Sequence, residues 1–336
     1  MTRSSRNADD TALQQYLDDL VTTLRGSKVD GDIPPLARLH DVEPDHVGIA
    51  ICTVDGDATA GGSDHHFTVQ SISKAFAYGA AIDHNGLGTV LRSVDVEPSG
   101  EDFSALSIDG ELGIPKNPMV NVGALVTHSM LGKSAAERWD RLSDTLNRAA
   151  GRELEVHEAT FDEEMGTADR NRALAYMLRS TGALNGKVDD VIEGYLRGCA
   201  VLVTASDLAK MAATLANGGI NPCTGERVFA QLTARQVMSV MLTCGMYDSA
   251  GDWATEVGIP AKSGVGGGIM ASLPDRAGIA TYAPHLDRHG NSSLGQIAFE
   301  KMSDDYRLHL LDGTGAPSFE KRAEKHVELD DSPMPQ

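Results

Sequence analysis

Residues 69–84, VQSISKAFAYGAAIDH, decide how the rest of the chain is read. From Ser71 to His84 the apolar residues Ala75, Phe76, Ala77, Tyr78, Ala80, Ala81 and Ile82 are dense on every side. The segment therefore reads as a buried helix, closed by Asn85-Gly86. Ser71 and Lys74 fall in its first turn, three residues apart, so they share one face with their side chains adjacent. A serine hydroxyl attacks poorly until a neighbouring base accepts its proton. Lysine can be that base when burial and a helix N-terminus disfavour its cation. Taken alone, Ser-x-x-Lys is most often a helix cap followed by a solvated lysine. In an apolar helix Lys74 is expected to be enclosed, and an enclosed lysine requires a partner or a task.

On the N-terminal side, residues 46–54 (HVGIAICTV) are apolar and β-branched, Asp55-Gly56-Asp57 supplies a turn, and residues 58–61 return as a second strand. On the C-terminal side the chain turns helical between about 105 and 250. Residues 134–149, 169–180 and 205–217 carry Ala, Leu and Met at helical steps, with Asp or Ser near each start. Beyond them, 257–264 and 277–282 read as short strands around a glycine-rich turn, and 295–301 as another short apolar segment. Strand-type sequence thus brackets a helical middle. That order predicts a mixed α/β (α+β) protein: an α/β lobe from residues 26–104 and 255–315, a helical lobe over 105–254, and a site in the cleft between them.

Residues 1–25 place Leu13, Tyr16, Leu17, Leu20, Val21 and Leu24 at three- and four-residue steps, the pattern of an amphipathic helix packed on the body. Asp9, Asp10, Asp18 and Asp19 interrupt any continuous apolar core of a secretory signal, so a cytoplasmic location is expected. Residues 316–336 are charged and contain proline, and are expected to form a mobile tail.

With 41% hydrophobic and 23% charged residues the composition is that of an ordinary globular protein, and no apolar run reaches the length of a membrane span. The 48 acids against 29 bases give a formal charge of −19, a field that repels nucleic acid and anionic membranes alike. Only ten of those bases are lysine, a surface that suits either saline surroundings or plain solubility. Cys52, Cys199, Cys223 and Cys244 form no CxxC pair and no His/Cys cluster of zinc-like spacing, so they read as buried thiols in a reducing compartment.

A second element of chemistry is Lys262-Ser263-Gly264-Val265-Gly266-Gly267-Gly268, a strand-like entry into glycines that let a substrate approach the backbone. Its shape matches the Lys-Thr-Gly strand of Ser-x-x-Lys enzymes. The N–H groups of Val265 and Ser71 together would make an oxyanion hole. An ordinary glycine turn is the plainer alternative. The Ser-Asp-Asn element of penicillin-recognising enzymes is missing, because Ser206-Asp207 runs into Leu208 and Ser63-Asp64 into His65.

Six ordered motifs then identify a resemblance: Val69 to Lys74, Glu97-Pro98-Ser99-Gly100, Asn117-Pro118-Met119-Val120-Asn121-Val122-Gly123-Ala124, Asp169-Arg170-Asn171, Gly245-Met246-Tyr247-Asp248, and Lys262 to Gly268. Over residues 20–315 the chain resembles the serine-dependent glutaminases. The resemblance implies a β-lactamase-like fold with an antiparallel sheet flanked by helices. It also implies hydrolysis of L-glutamine to glutamate and ammonia through a γ-glutamyl-serine intermediate, with neither metal nor organic cofactor, in a homodimer or homotetramer. Its substrate contacts fall on Ser71, Asn121, Glu164, Asn171, Tyr195, Tyr247 and the backbone of Val265.

Those residue types suit the substrate. Glutamine presents an ammonium and a carboxylate at one end, which calls for an acid such as Glu164 and neutral donors such as Asn121 and Asn171. Glu164 and Asn171 would share a face of one continuous helix, but Gly166 lies between them. By the same resemblance Tyr195 and Tyr247 would relay protons to the leaving ammonia, as a phenol can when lysine lowers its pKa. Lys262, beside Gly264, would tune that network or pair with an acid. One departure stands out: the family usually carries tyrosine where Ser27-Lys28-Val29-Asp30-Gly31-Asp32-Ile33-Pro34 has Asp32. An acid there would repel the substrate carboxylate and raise KM, and Asp32→Tyr should lower it in a saturation curve. Ser104, where the family usually has asparagine, is expected to lie away from the chemistry. Other Ser-x-x-Lys acyl transferases and a non-catalytic amino-acid sensor are the competing readings.

Overall fold

The computed structural model describes residues 3–29, 31–40, 42–100, 108 and 113–312. Ser104 and the tail expected at 316–336 lie outside the described residues. Helix α1 (Arg3–Arg25) comes first, and the expected hairpin follows as β1 (Gly48–Thr53) and β2 (Ala58–Gly62). A two-residue strand β3 (Phe67–Thr68) leads through a 3-10 turn (Gln70–Ile72) into α2 (Ser73–Asn85) and α3 (Leu87–Leu91). The middle supplies α4 (Asn121–Ser129), α5 (Ala135–Ala150), α6 (Glu158–Gly166), α7 (Asp169–Ser180) and α8 (Val188–Cys199). Strand β4 (Leu202–Val203), paired with β3, then gives way to α9 (Ala205–Ala216) and α10 (Gln231–Cys244). Last come α11 (Ala250–Glu256), β5 (Ala261–Ser263), β6 (Gly268–Leu273), β7 (Ala277–Tyr282) and α12 (Ser293–Tyr306).

One five-stranded antiparallel sheet, ordered β2-β1-β7-β6-β5, joins the two ends of the chain. The junction is the ladder between β1 and β7, from Gly48 opposite Tyr282 to Thr53 opposite Ala277. Two segments differ from their sequence reading. Strand β6 begins at the last glycine of the Gly264–Gly268 run, so a stretch read as turn is the second half of a hairpin. Residues 295–301 are the interior of α12, whose N-cap Ser292 accepts a hydrogen bond from the Gly295 N–H. A short apolar run alone does not separate strand from buried helix.

Alternate strand residues enter two different cores, the mark of a sheet covered on both faces. Ile49, Ile51, Ile269, Ala271 and Ile279 pack with Leu17, Leu20 and Val21 of α1 and Phe299 and Met302 of α12. Ala50, Cys52, Met270 and Ala280 pack with Leu208, Ala209 and Ala212 of α9. Fully burying each isoleucine contributes about 1.5–3 kcal/mol, so the two layers are held chiefly by burial of apolar area. Among the described residues, no helix is long and apolar enough to cross a membrane.

Helix α9 lies so close to the sheet that a Cβ on Gly278 would come 2.1 Å from both Ala209 O and Ala213 N. Backbone cannot yield as a side chain can. Gly278→Ala is therefore expected to destabilise the fold by at least about 2–3 kcal/mol, read as a lower urea midpoint at unchanged slope. An unshifted midpoint would contradict this packing. Helix α2 is the axis of the other core, since every residue from Ser73 to Ile82 is buried, as its sequence predicts.

Candidate active site

Ser71 lies in the 3-10 turn and Lys74 in the first turn of α2, immediately after it. The residue before the serine, Gln70, holds φ +48°, a left-handed conformation costly for a side chain of its size. Ser73 braces that turn by donating its hydroxyl to Gln70 O at 2.8 Å. Ser71 itself is 7% exposed, and Lys74 is 1% exposed. The Lys74 amine donates to Asn121 Oδ1 at 2.6 Å and to Met119 O at 3.2 Å. Ser71 is not among its hydrogen-bond partners. Burial in this apolar helix pulls the amine down to about 8, with the Cys199 thiol opposing.

Two of the quoted motifs build the acceptors for that amine. Asn117, itself buried, accepts the N–H groups of Met119 and Val120 on Oδ1 and donates Nδ2 to Glu97 O. This ties the Glu97-Pro98-Ser99-Gly100 segment to the Asn117 turn and sets Asn121 at the start of α4. Asn121 then reaches further: its Nδ2 lies 3.5 Å from Asn171 Oδ1, and its Oδ1 lies 3.5 Å from the Tyr195 hydroxyl. Glu164, on α6, and Asn171, on α7, come from separate helices, because α6 stops at Gly166 and α7 starts at Asp169. Glu164 accepts from Gln70 Nε2 at 3.4 Å. Desolvation raises its carboxyl to about 7 despite that hydrogen bond.

Tyr195 corrects one expectation. Its phenol is held well above the ordinary range by desolvation and then by the neighbouring Cys199 thiol, so lysine does not lower it. Cys199, one turn along α8, also sits 4.0 Å from the Ser73 hydroxyl, a site neighbour that the cysteine spacing did not signal. Gln70 is the other such neighbour, and its position directly before Ser71 was the only available hint. Of the four cysteines, Cys223 is exposed rather than buried.

Tyr247 also adopts a left-handed backbone, φ +54°, and donates its hydroxyl to Ser263 O at 3.2 Å. Lys262 shares that acceptor at 2.7 Å, donates to Gly245 O at 3.0 Å, and holds its amine 4.3 Å from the centroid of the Tyr247 ring. Its partners are carbonyls rather than an acid. Desolvation and then the Lys74 charge keep its amine well below the ordinary value.

The glycines of the 264–268 run serve the chain's own backbone first. A Cβ at Gly266 would lie 2.2 Å from Thr68 O, and one at Gly264 would lie 2.9 Å from Val69 O. The run thus presses against the segment entering Ser71, and it carries half-buried Val265 to that turn. Gly245 packs as tightly against the start of β5, with an added Cβ 1.7 Å from Ala261 O.

Asp32 takes no part in the hydrogen bonds that join this cluster. Its backbone pairs with Leu286, and its exposed side chain lines a cavity of about 850 Å³ with Asp252, Trp253, Glu256, His289 and Glu300. A second, largely apolar cavity of about 570 Å³ is lined by Met119 and Tyr247 together with Ala254, His309 and Leu310. Ser71, Glu164, Asn171 and Tyr195 line neither. Among the described residues, no group of three His, Cys, Asp or Glu side chains gathers as a metal site would require.

An antiparallel sheet covered by helices on both faces, with a Ser-x-x-Lys turn at the foot of a buried helix beside a Lys-Ser-Gly strand, defines a protein of the β-lactamase-like class. Within that class the chain belongs to the glutaminase family, whose family model, Glutaminase, matches residues 28–311. The Glutaminase of Microcystis aeruginosa is 45% identical over 298 residues, 88% of this chain and 87% of the relative. A solved structure of Mglu in its glutamate form superposes with a TM-score of 0.85 at 45% identity, over 90% of this chain and 70% of that one. A Bacillus glutaminase crystallised in 4.3 M NaCl gives a TM-score of 0.81 at 37% identity, over 89% and 99%.

Proposed function

We propose that the chain hydrolyses the side-chain amide of L-glutamine to L-glutamate and ammonia through a γ-glutamyl ester on Ser71. The observation that carries this reading is the state of Lys74. A neutral amine has two N–H donors and one lone pair. Asn121 and Met119 O take the two donors, which leaves the lone pair for the Ser71 proton. The serine oxygen then adds to the amide carbon, and the N–H groups of Ser71 and Val265 meet the developing oxyanion. Proton return to the leaving ammonia passes through Tyr247, with the protonated Tyr195 phenol holding Asn121 in place. Water repeats the sequence on the ester.

At the other end of the substrate, Glu164 takes the ammonium while Asn121 and Asn171 offer amide donors to the carboxylate. Lys262 acts through Tyr247, whose ring it faces. We assign no cofactor or metal to the reaction, place the protein in the cytoplasm, and infer a homodimer or homotetramer that light scattering would reveal. A glutamine-mimicking diazo-ketone tests the nucleophile directly: a stoichiometric adduct on the Ser71 peptide supports the assignment, and reversible binding without turnover points to a sensor instead.

The pH profile has a defined sign. Below about 8 the Lys74 amine is protonated and has no lone pair, so kcat rises as pH passes upward through that value. Below about 7 Glu164 is neutral in the free protein and loses its hold on the ammonium, so kcat/KM falls further on the acid side. Rates measured from pH 5.5 to 9.5 should climb through both values, and a profile flat across pH 6 to 9 would exclude the Lys74 assignment.

A further inference from the structure

Cys52 and Cys223 are 171 residues apart in sequence, yet their sulfur atoms lie 3.7 Å from each other. Cys52 is fully buried on β1, opposite Gly278, whereas Cys223 sits at the surface in the turn after α9. The turn that carries Cys223 is pressed against the β1–β2 turn that follows Cys52: Cys223 Sγ is 3.8 Å from Gly56 O, and a Cβ on Gly56 would lie 2.8 Å from Pro222 O. The Cys223 backbone is held by the buried Asn221 side chain. Its Oδ1 accepts the N–H groups of Cys223 and Thr224, while its Nδ2 donates to Arg148 O and Ala149 O. The sulfurs have to close only from 3.7 Å to the roughly 2.05 Å of a disulfide.

We propose that this pair is an oxidisable site: a small-molecule disulfide converts Cys52 and Cys223 into an intramolecular disulfide that staples β1 to the loop following α9. The exposed Cys223 thiolate attacks first and displaces one thiolate from the oxidant, forming a mixed disulfide. The Cys52 sulfur then attacks the Cys223 sulfur, gives its proton to water and expels the second thiolate. Two protein thiols are oxidised and one small disulfide is reduced to two thiols. Burial pushes the Cys52 thiol up to about 12, which suits it to the slower, resolving step. Cys199 and Cys244 are buried at the catalytic network and beneath Val96, and take no part.

The test treats the folded full-length chain with oxidised glutathione, then alkylates it in denaturant. The expected product has lost two hydrogen masses, carries alkyl groups on Cys199 and Cys244 alone, and yields a cross-linked peptide pair containing Cys52 and Cys223. The staple encloses a long loop, so the melting temperature should rise by roughly 5 °C and return on reduction. Cys223→Ser, on the exposed turn, and Cys52→Ala should each abolish the cross-link and the rise. Four alkylated thiols, a mixed disulfide that persists on Cys223, or a cross-link with no thermal gain overturns the proposal.

Discussion

Ser71→Ala is expected to reduce ammonia release from L-glutamine by about 10⁴- to 10⁶-fold, because it removes the proposed nucleophile and leaves the residual rate to binding and the oxyanion donors. The substitution removes one oxygen from a nearly enclosed site, 7% exposed, and leaves the turn braced by the Ser73 hydroxyl on Gln70 O. Folding should therefore be unchanged, with the same far-ultraviolet spectrum and melting temperature. Glutamate should still bind, since Glu164, Asn121 and Asn171 are intact. A variant within about tenfold of the parent rate would rule out Ser71 as nucleophile.

Lys74→Met should lower kcat by about 10³-fold or more, the range of a lost general base, with a smaller change in KM. It should also erase the rise in kcat near pH 8 that the buried amine produces. Stability gives an independent readout. A buried lysine carries a desolvation cost that an apolar side chain of similar length does not, so the variant should melt at or above the parent temperature. Lys74→Arg is the discriminating control: guanidinium keeps its proton, so arginine restores charge and volume without restoring the base. Recovery of activity in the arginine variant would mean that position 74 acts by charge alone.

Features set by neighbours along the chain were largely legible before any tertiary contact was known. The all-round apolar pattern of residues 75–82 required a buried helix, and that helix is α2. A three-residue spacing predicted Ser71 and Lys74 on one face, since helical geometry needs no tertiary contact to do so, and the chain puts them in the consecutive turns that open α2. The turn at Asp55-Gly56-Asp57 and the β-branched run before it marked the first hairpin. The glycine run at 264–268 was visible too, but its purpose was not: the close approach it permits is to Thr68 O and Val69 O.

Tertiary structure alone decided which distant groups meet. Asn121 is 47 residues from Lys74 and accepts a hydrogen bond from its amine at 2.6 Å because the buried Asn117 shapes the turn into α4. The left-handed backbones at Gln70 and Tyr247 have no local sequence cause such as glycine, and persist because the surrounding packing holds them. Burial raises the Tyr195 phenol and the Glu164 carboxyl, and no count of charges along the chain could reveal it. The β1–β7 ladder closes the chain's two ends into one sheet and, with α9 seated against Gly278, brings Cys52 to Cys223. Short-range pattern specifies elements, whereas desolvation and long-range contacts exist only once those elements have packed.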